Sequence, residues 1–165
     1  MESFKIPYSS TNQFSKLVID YLNEDGQLKP FISHFPSLEN FEKQIAEKQN
    51  HKINRKVLVE VLKKQNSNLS LSEQSKNNIE KLLSENTFSM TTGHQLCLFT
   101  GPLYFIYKII STINLSQQLK EKYPKNNFVP VFWMATEDHN FQEVNHINLF
   151  GKKIAWDSKQ SGAVG

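Results

Sequence analysis

The sequence predicts an α/β protein in which polar helices pack on a strand–helix–strand unit with parallel strands. Residues 1–86 are rich in Lys, Glu and Asn, with apolar residues at helical spacing. From Thr87 the composition shifts to aromatics, Gly and Pro. Two short segments, Thr87–Thr92 and Phe128–Ala135, flank a long helical pattern that runs from Pro102 to about Lys122. Strand, crossover helix and strand make a βαβ unit, whose crossover is right-handed.

Four helices are expected before Thr87. The first spans about Thr11–Asn23, with Phe14, Leu17, Val18, Tyr21 and Leu22 on one face and Gly26 as its stop. Ser37 is placed to cap a second, striped by Leu38, Phe41 and Ile45. Asn54 caps a third that turns Val57, Leu58, Val61 and Leu62 inward. Ser70 and Glu73 have capping-box spacing for a fourth, which buries Ile79, Leu82 and Leu83. Each stripe is narrow, so these helices need another surface to pack on.

In the second half, Gly93–Gly101 is a loop and Pro102 suits the first turn of a helix. Leu103, Ile106, Tyr107, Ile110 and Ile113 continue at helical spacing. Phe128–Ala135 is nearly all apolar, as a strand covered on both faces requires, with Phe132 and Trp133 in its core. Pro130 cannot donate to a ladder, so it belongs at a bulge or beside an unpaired edge. Ile147–Phe150 and Lys153–Trp156, joined around Gly151, read as a hairpin.

Charge and cysteine content exclude several classes. The net charge is +3, but Arg55 is the only arginine, and the lysines alternate with Glu on helix faces. Nucleic-acid binding is therefore not expected. One cysteine, Cys97, makes no internal disulfide, which suits a reducing cytoplasm. The N-terminus does not read as a targeting segment, and no run of apolar residues reaches the ~18 that span a bilayer.

The chemistry gathers in two loops at the C-terminal ends of the predicted parallel strands, where open α/β sheets bind ligands. Thr91–Gln95 and Thr136–Asn140 should therefore meet at one crevice. Gly93 and Gly101 either serve tight turns or open a helix start to a phosphate or carboxylate. His94 is a candidate donor or acid–base group, and Gln95 a reader of an amide or hydroxyl. Glu137, Asp138 and His139 are the sharpest cluster: carboxylates that take a proton, hold Mg²⁺ or bond a sugar, beside an imidazole. The alternative is a polar loop with Asp138 as a cap. Lys108 either reaches a bound anion or is solvated. Tyr104 and Tyr107 are core or pocket wall, and Trp156 is packed. Cys97, between Leu96 and Leu98, reads as a small apolar residue. A zinc site from His94, Cys97, His139 and His146 lacks close ligand spacing, and no metal centre is predicted.

Thr92–Ser116 (TGHQLCLFTGPLYFIYKIISTINLS) and Pro130–His146 (PVFWMATEDHNFQEVNH) resemble two segments of the BshC family, the cysteine-adding enzymes of bacillithiol biosynthesis. The resemblance implies a Rossmann-like core, here partial: residues 1–86 form a helical segment packing on it, and 87–165 a truncated Rossmann-like domain. It implies a ligase that joins the cysteine carboxyl group to the amine of glucosaminyl-malate, in a longer protein that dimerises through a C-terminal coiled coil. Carried over by motif, Thr92, Gly93, His94, Gln95, Gly101, Pro102 and Asn145 would bind substrate or nucleotide. Glu137, Asp138 and His139 would be catalytic. Activating a free carboxylate calls for a nucleoside triphosphate such as ATP, with Mg²⁺. Two further readings are a non-catalytic nucleotide- or sugar-binding remnant, and a different nucleotide-dependent transferase on a similar sheet.

Overall fold

The computed structural model describes residues 4–159 and 161–164 and divides into two compact units, Met1–Lys52 and Ile53–Gly165. In the first unit, helix α1 is Lys16–Leu22, shorter than its apolar pattern, because Ser15 caps it by accepting from the Val18 amide. It ends at Glu24, which takes the left-handed turn (φ 57°) that the sequence assigns to Gly26. Gly26 instead opens a 3-10 segment, Gly26–Phe31, capped by Asp25. Helix α2 is Phe41–Gln49 and buries Ile45. Ser37 caps the turn before it, accepting from the Asn40 amide. His34 Nε2 meets Glu47 Oε1 at 2.8 Å, and Tyr21 lies against Phe35.

The second unit contains the sheet. Helix α3 is Arg55–Gln65, capped as expected by Asn54, and α4 is Glu73–Lys81, capped by Ser72 rather than Ser70. Strand β1 is Thr87–His94, α5 is Leu103–Lys122 and β2 is Asn127–Met134. The strands are parallel and paired from Thr87↔Asn127 to His94↔Met134, which is the predicted βαβ unit. A four-residue helix, α6 (Phe141–Val144), leads into the hairpin of β3 (His146–Leu149) and β4 (Lys152–Ala155).

Helices cover both faces of the β1–β2 pair. On one face Val59, Leu82 and Val129 form the core, with Leu62, Ile79 and Val131 against them. Of the predicted stripe on α3, Leu62 faces inward, beside Val59 and Arg55, whereas Val57, Leu58 and Val61 are exposed. Arg55 lies on that same face. Its guanidinium donates to the carbonyls of Leu82 (3.0 Å), Glu85 (3.3 Å) and Thr87 (3.2 Å), stitching α3 to the chain entering β1. The hydrophobic cluster stops at Val131, so Trp133, next along that face, is 59% exposed rather than core.

On the other face α5 presents Leu119, fully buried, and Ser116, whose hydroxyl is satisfied by the Thr112 carbonyl. Phe105 meets Phe132 edge-on at 5.1 Å. The predicted stripe of Leu103, Ile106, Tyr107, Ile110 and Ile113 lies on the outer side and is exposed. Pro130 pairs with Met90 without a bulge. The Asn127 amide donates to the Asn86 carbonyl, just before β1, and the Ala135 amide to the His94 carbonyl at its end. Alternation along a parallel strand then turns residue 130 the other way, so the missing donor falls on the open side of β2.

Two substitutions test this architecture. Arg55→Lys keeps the charge but loses the planar fork, and should lower unfolding free energy by ~1–3 kcal/mol in urea titration. At the hairpin tip, Phe150 and Gly151 both have positive φ (49° and 73°), and Phe150 is 94% exposed. Phe150→Asn should therefore stabilise the chain by ~0.5–1 kcal/mol, since Asn tolerates the left-handed region that Phe does not.

Candidate functional site

The parallel register delivers the two polar loops to one end of the sheet. Gln95, 2% exposed, follows β1 directly and reaches across to the loop after β2. Its Nε2 donates to the Asn140 carbonyl at 3.2 Å and to Glu143 Oε2 at 3.0 Å. The Ala135 amide donates back to the His94 carbonyl. The expected meeting of the loops is therefore made by named bonds.

Glu143, on α6, is the centre of this arrangement. Besides Gln95, its carboxylate accepts from Asn140 Nδ2 at 3.2 Å and from the Tyr104 hydroxyl at 2.7 Å. His94 Nε2 lies 3.2 Å from Glu143 Oε1 and 2.5 Å from Tyr104 Oη, while His94 Nδ1 donates to the Gln95 carbonyl at 2.7 Å. The strong bond to Glu143, then burial and the carboxylate's charge, push the Tyr104 phenol up to about 12. Burial first, then the charge of Glu143, also raise the Cys97 thiol. Cys97 thus stays a neutral packing group, half-buried with its sulfur 3.6 Å from His94 Nδ1.

Tyr104 and Glu143 line a crevice of about 720 Å³, together with Gly101, Pro102, His146 and Asn148. A second hollow of about 540 Å³ is bounded by Cys97, Phe141, Asn145 and Trp156. Thr92 faces elsewhere, into a groove of about 690 Å³ with Thr112, Ser116 and Pro130. Gly93 packs under Trp133, and its carbonyl accepts from Lys108, whose ammonium also sits 5.4 Å from the Tyr104 ring centroid. Asn145 ties down the base of the hairpin through both backbone groups of Trp156, and Trp156 itself packs edge-on to Phe141.

The triplet after β2 is spread out. Glu137 accepts from the Trp133 indole at 3.2 Å. Asp138 accepts from the Asn140 amide and caps the turn, while its carbonyl holds the Val164 amide. His139 is exposed. Asp138 reaches the Glu143 network through Asn140, whose side chain donates to Glu143, and among the described bonds none of the three touches Glu143 itself. Sequence reasoning missed Glu143 and the role of Tyr104. Glu143 does stand inside the second motif, four residues beyond His139. The signal was its position one turn into a short helix, which turns its carboxylate back to the crevice.

The arrangement is a partial Rossmann-like α/β unit with a polar crevice at the carboxyl ends of its strands. Residues 1–165 match the family model described as bacillithiol biosynthesis BshC, N-terminal Rossmann-like domain. The chain is 58% identical over 164 residues to a BshC protein of Flavobacterium johnsoniae, covering 97% of this chain and 31% of that one. A relative in Flavobacterium psychrophilum is 56% identical with the same coverage, and one in Cytophaga hutchinsonii is 50% identical over 98% of this chain and 31% of its own. The name these relatives carry is that of a cysteine ligase. The chain belongs to the BshC family, and it spans about 31% of the length of the relatives it matches.

Gly101 tests the crevice wall. It has φ 63°, and an added Cβ would fall 2.5 Å from Cys97 Cβ. Gly101→Ala should cost ~1–3 kcal/mol in thermal unfolding and displace the Cys97–Tyr104 loop.

Proposed function

We propose that this chain supplies the N-terminal portion of an enzyme that adds L-cysteine to glucosaminyl-malate, forming an amide between the cysteine carboxyl group and the sugar amine. The observation that supports the reading is the family match along the chain together with the crevice that both motif loops build around Glu143. Within it, His94, Gln95, Gly101 and Pro102 shape the binding wall. Thr92, Gly93 and Asn145 hold the surrounding backbone and side chains in place. Of the Glu137–Asp138–His139 triplet, His139 is the exposed group, with Glu137 and Asp138 fixing its loop.

Activation of the carboxyl group by ATP with Mg²⁺ belongs to the same proposal, and the residues here fit it only in part. Helix α5 starts without a side-chain cap, which suits an anion at its N-terminus. Against this, Gly101 is closely approached by Cys97, and Lys108 is spent on the Gly93 carbonyl. Among the described residues no three metal-ligating side chains gather. These residues do not complete a nucleotide or metal site, and no step is routed through one. For the 165-residue piece alone, we favour binding without turnover, given its share of the relatives' length. The proposal extends to a cytoplasmic, homodimeric whole protein. Among the described residues no helix is long and apolar enough to cross a membrane.

The test is a mass-spectrometric thiol profile of source cells lacking the locus. Loss of bacillithiol with accumulation of glucosaminyl-malate is expected, reversed by the full-length gene and not by residues 1–165. An unchanged profile would sink the ligase reading, and rescue by residues 1–165 would overturn the assignment of binding alone.

A further inference from the structure

Two acceptors converge on one proton at the crevice wall. The Gln95 carbonyl can only accept, so its 2.7 Å contact fixes a proton on His94 Nδ1. In a neutral imidazole Nε2 then carries a lone pair, and it points at Tyr104 Oη, 2.5 Å away. The same hydroxyl lies 2.7 Å from Glu143 Oε1. One hydroxyl proton serves two strong acceptors. A second proton, on Nε2, would satisfy both: the imidazole would donate to Tyr104 Oη and Tyr104 to Glu143. The trio is one proton short of a full set of hydrogen bonds. The His94 side chain is only 8% exposed, whereas Tyr104 is 43% exposed and lines the 720 Å³ crevice. The Tyr104 hydroxyl thus stands between the crevice and His94.

We propose that Tyr104 is a catalytic residue that takes a proton from an amine bound in this crevice and passes its own to His94, with Glu143 as the positioning residue. This rests on the ligase reading above. The amine lone pair forms the C–N bond to the carbonyl carbon of an activated acyl group. The acyl C–O bond to the leaving oxygen breaks, and its electron pair departs on that oxygen. The N–H proton moves to Tyr104 Oη as the Tyr104 proton moves to His94 Nε2. The resulting imidazolium faces the Glu143 carboxylate, 3.2 Å away. Because its phenol is held up at about 12, Tyr104 works as a relay and not as a resting phenolate. The other titratable groups around it are Cys97 beside His94, Lys108 over the tyrosine ring and His146 on the crevice wall.

Two measurements decide this. In the full-length protein carrying this sequence, Tyr104→Phe should lower kcat by ~10²–10⁴-fold with KM for the amine substrate little changed. Glu143→Gln should behave likewise, because an amide there turns N–H groups toward existing donors. Separately, ¹⁵N-histidine NMR should find neutral His94 as the Nδ1–H tautomer, in wild type and in Tyr104→Phe alike. Wild-type kcat in Tyr104→Phe, or an Nε2–H tautomer at His94, overturns the relay. No amide product from the wild-type protein overturns the ligase reading instead, a distinct failure because the tautomer is read without substrate.

Discussion

Parallel pairing of β1 with β2 is the constraint on which the rest of the molecule depends. It forces the chain to run the length of α5 between strands, and it places both polar loops at one end of the sheet. Both ends of β1's outer edge are then secured by side chains. Arg55 takes the Thr87 carbonyl at the start and Lys108 the Gly93 carbonyl near the end. The only arginine and a lysine that looked solvated are thus spent on backbone carbonyls. Buried or edge carbonyls lost from water need such partners, and a charged donor is a strong one.

Glu143 adds side-chain bonds to the backbone and Gln95 contacts that already join the two loops. One carboxylate accepts from three side chains that come from β1's end, from α5 and from the loop after β2. Each of these positions is local in sequence, yet the point where they converge is not. Gln95 spans 48 residues to reach Glu143, and Tyr104 spans 39. Gln95 Oε1 is left buried without a partner. The reverse amide orientation would turn that oxygen toward Glu143 and the Asn140 carbonyl, so the orphan is the lesser cost.

Periodicity revealed the helices, the two strands, their parallel sense and the hairpin, because each is written in neighbouring residues. It failed where tertiary contacts choose between faces. Helix α3 carries apolar residues on more than one side, and the face that turns inward, with Val59 and Leu62, is the one that also carries the Arg55 fork. Helix α5 likewise has two apolar faces, and the one with small Ser116 approaches the sheet. The same limit applied at the crevice. Glu137, Asp138 and His139 are contiguous and so drew attention, but contiguous loop residues point in different directions. Capping was legible in kind but shifted by position: Asn54 was found, while Ser72 displaced Ser70.

The electrostatics at the crevice argue against the most tempting chemical assignment. A lone cysteine beside a histidine, in a family named for cysteine addition, invites the role of nucleophile. Nucleophilic thiols need a lowered pKa from nearby positive charge. Here burial and the Glu143 carboxylate act in the opposite sense on Cys97, as they do on Tyr104. His94 Nδ1, the nitrogen nearest the sulfur, already donates to the Gln95 carbonyl and has no lone pair to accept the thiol proton. The carboxylate that assembles the crevice thereby keeps its acidic neighbours protonated. Nε2 of His94 faces the crevice through the Tyr104 hydroxyl, 2.5 Å away. The geometry therefore does not favour covalent attack by Cys97.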